Sequence, residues 1–288
     1  MHRLVSRLAL LGAVVSVSTA AIFIRLADAP PLTVAAYRLG LAALLFRTLA
    51  GSGLIHEIRG LRRATLLALL GAGALLAAHF GVWIASLSHT TLVNSVVIVA
   101  TQPLFAALLS WWWIGERPGA RVWAGMVLAL LGCGVLAGGG SPAAGDLLAL
   151  AGAITAAAYL TLGRRLRGAM ALARYLAAVH MAAAVLILPI AAVAGPLWGL
   201  RPGTLLWLVA LAAIPSLCGH GLLNYAVRRA PSYVVSLAIL GEPIGAALLA
   251  WPVFGELPSG RALAGGALIL TGVALGVLRL GGATTVRS

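Results

Sequence analysis

The chain has 288 residues, of which 62% are apolar and only 9% charged, and its net charge is +14. Soluble domains carry roughly 25% charged residues, so this composition belongs to an integral membrane protein. The positive charges lie in short gaps between apolar runs, with no basic patch interleaved with exposed aromatics, which excludes nucleic acid as a partner; all 20 basic residues are Arg, and the lack of Lys excludes a retinal Schiff base and a phosphate-binding P-loop.

A membrane-spanning helix needs about 20 mostly apolar residues. Breaks at Gly, Pro and Arg clusters give ten such spans: 4–25, 31–50, 64–87, 91–114, 120–138, 146–164, 172–194, 204–227, 231–254 and 261–280. The first has the Arg3 and Arg7 flank of a signal peptide, but its apolar run continues to Ile24 and nine more follow, so it reads as a retained span. The gaps are short, and no soluble domain fits in any of them.

Polar residues inside spans need a partner or a purpose, since a charge near the bilayer centre costs about 2.5–3.5 kcal/mol on insertion scales. The second span carries Arg38 about seven residues below its outer end, or about 10 Å at the helical rise. Arg38 reads either as a site for an anion or for Glu242, or as a side chain that snorkels outward to cap helix ends. The third span places His79, Trp83 and Ser86 on one face, and the eighth places Ser216, His220 and Asn224 on one stripe. The fourth offers Asn94, Thr101 and Gln102, followed by Pro103; the sixth offers Thr155 and Tyr159, and the seventh His180. Glu242 is the only mid-span carboxylate, and Pro243 follows it. It reads either as a titratable coupling residue or as a packing residue beside a proline-broken helix. Pro103 and Pro243 are the expected helix breaks. Together these residues predict a substrate cavity lined by spans one, three, four, six, eight and nine. The alternative is a set of interhelical hydrogen bonds that only hold the bundle together, at about 0.6 kcal/mol each. Cys133 and Cys218 fall in apolar runs, which gives no expectation of a disulfide, and no facing pair of membrane histidines supports haem. No cofactor, metal or catalytic residue is expected.

The chain is also duplicated. Gly115-Glu116-Arg117-Pro118 closes the fourth span, and Gly255-Glu256-Leu257-Pro258 closes the ninth, 140 residues on. From Val99 to Gly138 the offset copies match at 15 of 40 positions, which marks two related halves, 1–140 and 141–288. Five spans per half reverse the chain, so the halves are inverted repeats of an all-α, ten-helix membrane protein. Gly134 and Gly138 in span five, with Gly272 and Gly276 in span ten, predict a close contact between those helices. The two acidic residues of the Gly-Glu-x-Pro turns are each expected to cap the helix that follows.

Arginine sets the orientation. With the N-terminus inside, sixteen of the 20 arginines fall in cytoplasmic segments and three in outer ones, which places both termini in the cytoplasm. The tryptophans at 111, 112, 113 and 123 form an inner aromatic belt, and those at 198, 207 and 251 an outer one.

Tyr37-Arg38-Leu39, the run from Gln102-Pro103 to Gly115-Glu116, and its twin from Glu242-Pro243 to Gly255-Glu256 resemble the drug/metabolite transporter superfamily in its ten-helix EamA-type exporter branch. The resemblance covers essentially the whole chain. It implies a secondary transporter that exports small metabolites, amino acids or amphipathic drug-like compounds, by alternating access and without ATP, from a bacterial inner membrane. The implied partners are a small-molecule substrate and the lipid bilayer, with the chain acting as a monomer, or alternatively as a homodimer. An intramembrane enzyme and a channel or scramblase are the competing classes. The only aspartates, Asp28 and Asp146, lie at span ends, where a membrane aspartyl protease could not use them, and no repeated filter residues are present.

Overall fold

A computed structural model of the chain describes residues 2–90, 92–137, 144–166, 168–255 and 260–277, and of residues 2–4, 7, 92–94, 136, 137, 262 and 277 the backbone only. Every regular element among the described residues is helical. Eight segments are long and apolar enough to cross a membrane: Leu8–Ala27, Pro31–Ala50, Arg63–Ser86, Ser95–Ile114, Ala144–Arg165, Leu172–Ala194, Pro202–Val227 and Ser232–Phe254. Two shorter apolar stretches, Ala120–Val135 and Leu263–Gly276, supply the fifth and tenth. Because five crossings reverse the chain, the two repeats run in opposite directions through the bilayer.

Four spans are interrupted, all at mid-depth. The fourth breaks between helices Leu92–Val99 and Gln102–Ile114, and the ninth between Ser232–Ile239 and Glu242–Phe254. Pro103 and Pro243 sit in the first turn of the second half-helix, where proline's missing N–H leaves no bond unmade. The chain therefore breaks two to three residues before each proline. Two further interruptions have no counterpart in the sequence reading. The first span divides at Thr19, where the hydroxyls of Ser16, Ser18 and Thr19 each donate to a carbonyl three or four residues back. The eighth widens into a π-helix over Ala212–His220. Pro215 causes it, by removing the N–H that would bond the Leu211 carbonyl; the Ser216 hydroxyl donates to that carbonyl instead, at 3.2 Å.

Glycine sets how closely the spans approach. The first span packs into the eighth and ninth where Gly219, Gly241 and Gly245 lack side chains: a Cβ on Gly219 would stand 2.8 Å from Val17, and one on Gly245 would collide with Ser18. The fifth and tenth helices pack on each other as expected, with Gly272 and Gly276 of the tenth at the contact, but on the fifth it is Gly125 and Gly132 that face the tenth rather than Gly134. Gly125 lies against the Gly272 carbonyl, and Gly132 against the Gly265 carbonyl, each 2.6 Å from an added Cβ. Gly134 faces open space, because two residues beyond Gly132 is about 200° around an α-helix; Gly138 lies outside the described residues. The short helix Leu54–Arg59 ties down the loop after the second span, with Glu57 accepting from Arg174 Nη1 at 2.6 Å and from the Ala171 N–H at 3.2 Å. Trp112 and Trp198 are more than four-fifths exposed, as interfacial aromatics should be.

Candidate functional site

The interruptions surround one central cavity of about 60 Å³. It draws on spans one, three, four, six, eight and nine, and also on the second span, through Arg38. The fifth, seventh and tenth spans contribute nothing to its lining. Among the expected site residues, the structure brings Arg38, His79, Trp83, Gln102, Pro103, Tyr159, His220, Glu242 and Pro243 together on its wall. The others lie elsewhere. Ser86 bonds the Ser95 hydroxyl at 2.6 Å, and Thr101 turns back to the Ile98 carbonyl at 2.7 Å. Ser216 and Asn224 stand one layer behind the wall, bonded to Arg38 and to the Tyr159 hydroxyl. The side chain of Asn94 lies outside the described residues.

Arg38 is 1% exposed, so it does not snorkel. Nor does any hydrogen bond or ion pair within 4 Å join it to Glu242, although the two charges act on each other across the cavity. Its Nε donates to Ser216 Oγ at 3.0 Å, and its guanidinium carbon lies 4.0 Å from the Phe80 ring centroid and 5.8 Å from that of Trp83. A hydrogen bond involving a charged group contributes about 1.5–3 kcal/mol, and a desolvated cation–π contact about 2 kcal/mol. Together they offset most of the cost of placing an arginine at this depth. Nη1, however, has no partner, and neither has the Trp83 indole Nε1. The Pro215-driven π-turn thus has a purpose: it presents a hydroxyl that donates to a freed carbonyl and still accepts from Arg38.

His79 stacks on Trp83, with ring centroids 5.9 Å apart and an interplanar angle of 2°. Its Nδ1 donates to the Gly152 carbonyl at 2.9 Å, which fixes the neutral tautomer with a bare Nε2. Phe80 bridges the repeats, edge-on to His220 of the second half at 5.2 Å. Phe80 was not singled out by the sequence, because a phenylalanine in an apolar span carries no polar signal. Glu242 heads its half-helix, where a carboxylate complements the positive helix terminus. Gln102, at the equivalent position of the other repeat, donates to Ser236 Oγ at 3.2 Å.

Polar contacts join the spans on either side of the cavity. Toward the Glu116 face, Ser232 Oγ meets Ser110 at 2.6 Å and Thr161 at 3.0 Å. Beyond them, Glu116 Oε1 accepts from Arg164 Nε and Nη2 at 3.1 and 2.8 Å, while Arg164 Nη1 donates to the Val227 carbonyl. Glu116 therefore ties the end of the fourth span to the sixth, Arg164 carries the tie on to the eighth, and the expected cap on the following helix is not what Glu116 makes. Glu256 lies outside the described residues. Toward the other face, Thr90 donates to Asp146 at 2.7 Å, and a Cβ on Gly145 would meet the His89 carbonyl carbon at 2.6 Å.

An all-α membrane protein of two inverted five-helix repeats, with broken spans converging on a charged midplane cavity, has the design of a membrane transporter. The chain belongs to the EamA-like transporter family, in the drug/metabolite transporter superfamily: the family model matches residues 5–138 and again 143–278. Over 185 residues it is 27% identical to an uncharacterized transporter of Bacillus subtilis (strain 168), YwfM. That match takes in 63% of this chain and 62% of YwfM, so the chain spans less than two thirds of that relative's length. A protein of known crystal structure shares the fold with a TM-score of 0.79, covering 95% of this chain and 96% of its own, at 22% identity.

Proposed function

We propose that the chain is a secondary transporter that exports small metabolites, amino acids or amphipathic compounds, from a bacterial cell by alternating access. The observation that carries this reading is a cavity lined by both repeats, charged at its wall and flanked by polar contacts toward each face. At about 60 Å³ it holds a few waters, whereas small-molecule sites run to about 300–1,000 Å³. A substrate larger than a few waters therefore needs the spans around the cavity to move apart. Solute counterflow tests this: proteoliposomes preloaded with unlabelled amino acids, nucleosides or cationic drugs should accumulate the matching labelled compound without ATP. Failure across that panel would overturn the reading.

The arginine distribution supports an orientation with the Glu116 contacts in the cytoplasmic half and both termini inside. A C-terminal reporter that is active only in the cytoplasm is the expected result; activity only in the periplasm would contradict it.

Glu242 supplies coupling in this scheme. The twin position is already Gln102, and glutamine is isosteric, so Glu242→Gln should keep the fold. Exchange should survive, because it needs only rocking of the two repeats about the cavity. Uphill transport driven by a pH gradient should fall at least tenfold. Wild-type uphill transport by this variant would remove Glu242 from the coupling mechanism.

A further inference from the structure

The cavity wall holds two buried donors with nothing to bond, Arg38 Nη1 and Trp83 Nε1. They neighbour each other, since the guanidinium carbon lies 5.8 Å from the Trp83 ring centroid. The rest of Arg38 is immobilised by Ser216 on one side and the Phe80 ring on the other, so the free edge of the guanidinium is held in place before any ligand arrives. A buried polar group in a native protein is normally paired, and a fixed, desolvated, half-paired cation is what an anion site looks like when empty. Glu242 shares the same wall yet makes no ion pair with Arg38, so it does not fill that site.

The geometry points to a carboxylate subsite: the exported substrate carries a carboxylate that accepts from Arg38 Nη1 and Trp83 Nε1, with its apolar part among Val99, Leu160 and Leu223. A planar carboxylate brings two acceptor oxygens and no donor, which matches a pair of donors that lack acceptors. This inference rests on the transporter reading and adds the chemical group that the cavity selects.

Paired ligands test it on the purified, full-length protein. Each pair differs only at the carboxylate: leucine and leucinamide, phenylalanine and phenylalaninamide, hexanoate and hexanamide, with ethidium as a cation that has none. Binding is read as ligand-induced thermal stabilisation, which follows the ratio of concentration to Kd. At least one carboxylate should bind at least tenfold more tightly than its amide. Arg38→Gln should abolish that preference. Trp83→Phe, which removes only the indole donor, should weaken the carboxylate several-fold while keeping the preference. Should Arg38→Gln fail to fold, Arg38→Lys retains the charge but loses the fork, and should bind the carboxylate more weakly with the preference intact. Equal binding within every pair, or a preference that survives Arg38→Gln, overturns the subsite. Binding of ethidium or amides alone overturns the subsite and leaves the transporter reading standing. No stabilisation by any compound at millimolar concentration overturns both.

Discussion

Gly272→Leu should abolish the folded protein. A Cβ at this position would stand 2.5 Å from the Gly125 carbonyl and 2.7 Å from the Ala129 amide, both of them backbone atoms that cannot swing aside. Even Gly272→Ala has to push the fifth and tenth helices apart, and overpacking of this kind costs about 1–3 kcal/mol. Leucine adds three more carbons at the same closest point. Detergent-solubilised Gly272→Leu should elute as aggregate in size-exclusion chromatography, and Gly272→Ala should be monodisperse with a lowered melting temperature. Gly134→Leu is the control, because nothing lies within 4 Å of the Cβ it would add. If Gly272→Leu were as stable as the wild type, the close approach of the two helices would be wrong.

The second large effect is expected at Glu116. Glu116→Gln leaves Arg164, whose side chain is 10% exposed, without its carboxylate. Exposed pairs contribute about 0–1 kcal/mol, and stranding one partner of a buried pair costs about 3–5 kcal/mol. A half-buried pair stands between these limits, so a loss of about 2 kcal/mol is expected in thermal or denaturant unfolding. The double variant Glu116→Gln/Arg164→Gln should be more stable than the sum of the two single losses predicts, because no charge is left stranded. Strict additivity would mean that the ion pair does not tie the fourth span to the sixth. Function should shift in the same variant: with the tie between the fourth and sixth spans weakened, the cavity should open more often toward the Glu116 face and less often toward the other.

The sequence made the fold legible because duplication and charge placement constrain each other. The 140-residue offset between Glu116 and Glu256 implies two halves, and an odd number of spans per half implies inversion. The cavity was legible in outline, since His79, Trp83, Gln102 and Glu242 stand out as polar against apolar runs. What stayed hidden depends on which helices touch. Glu116 reads as a cap until the inner end of the sixth span is seen to bring Arg164 to it. Gly125 and Gly132 look no different from Gly134 until the facing side of the helix is known. Ser216 reads as one of a polar stripe, yet its role follows from Pro215 one residue earlier: a proline inside a span frees a carbonyl, and the next hydroxyl is placed to take it. Arg38 was located in depth but not in direction, because a chain seven residues inside a span can reach either the interface or the core.

Alternating access can be measured without knowing the substrate. Ala156 lies on the cavity wall and is 4% exposed, so Ala156→Cys, with Cys133 and Cys218 replaced by alanine, puts a single thiol on that wall for an impermeant maleimide to report on. Labelling is then timed from each face, in right-side-out cells and in inside-out vesicles. The expected result is labelling from both faces, with no leak of small ions, and with Glu116→Gln raising the rate at the cytoplasmic face while lowering it at the other. Labelling from one face only, under every condition, would describe a one-sided pocket and contradict transport through this cavity.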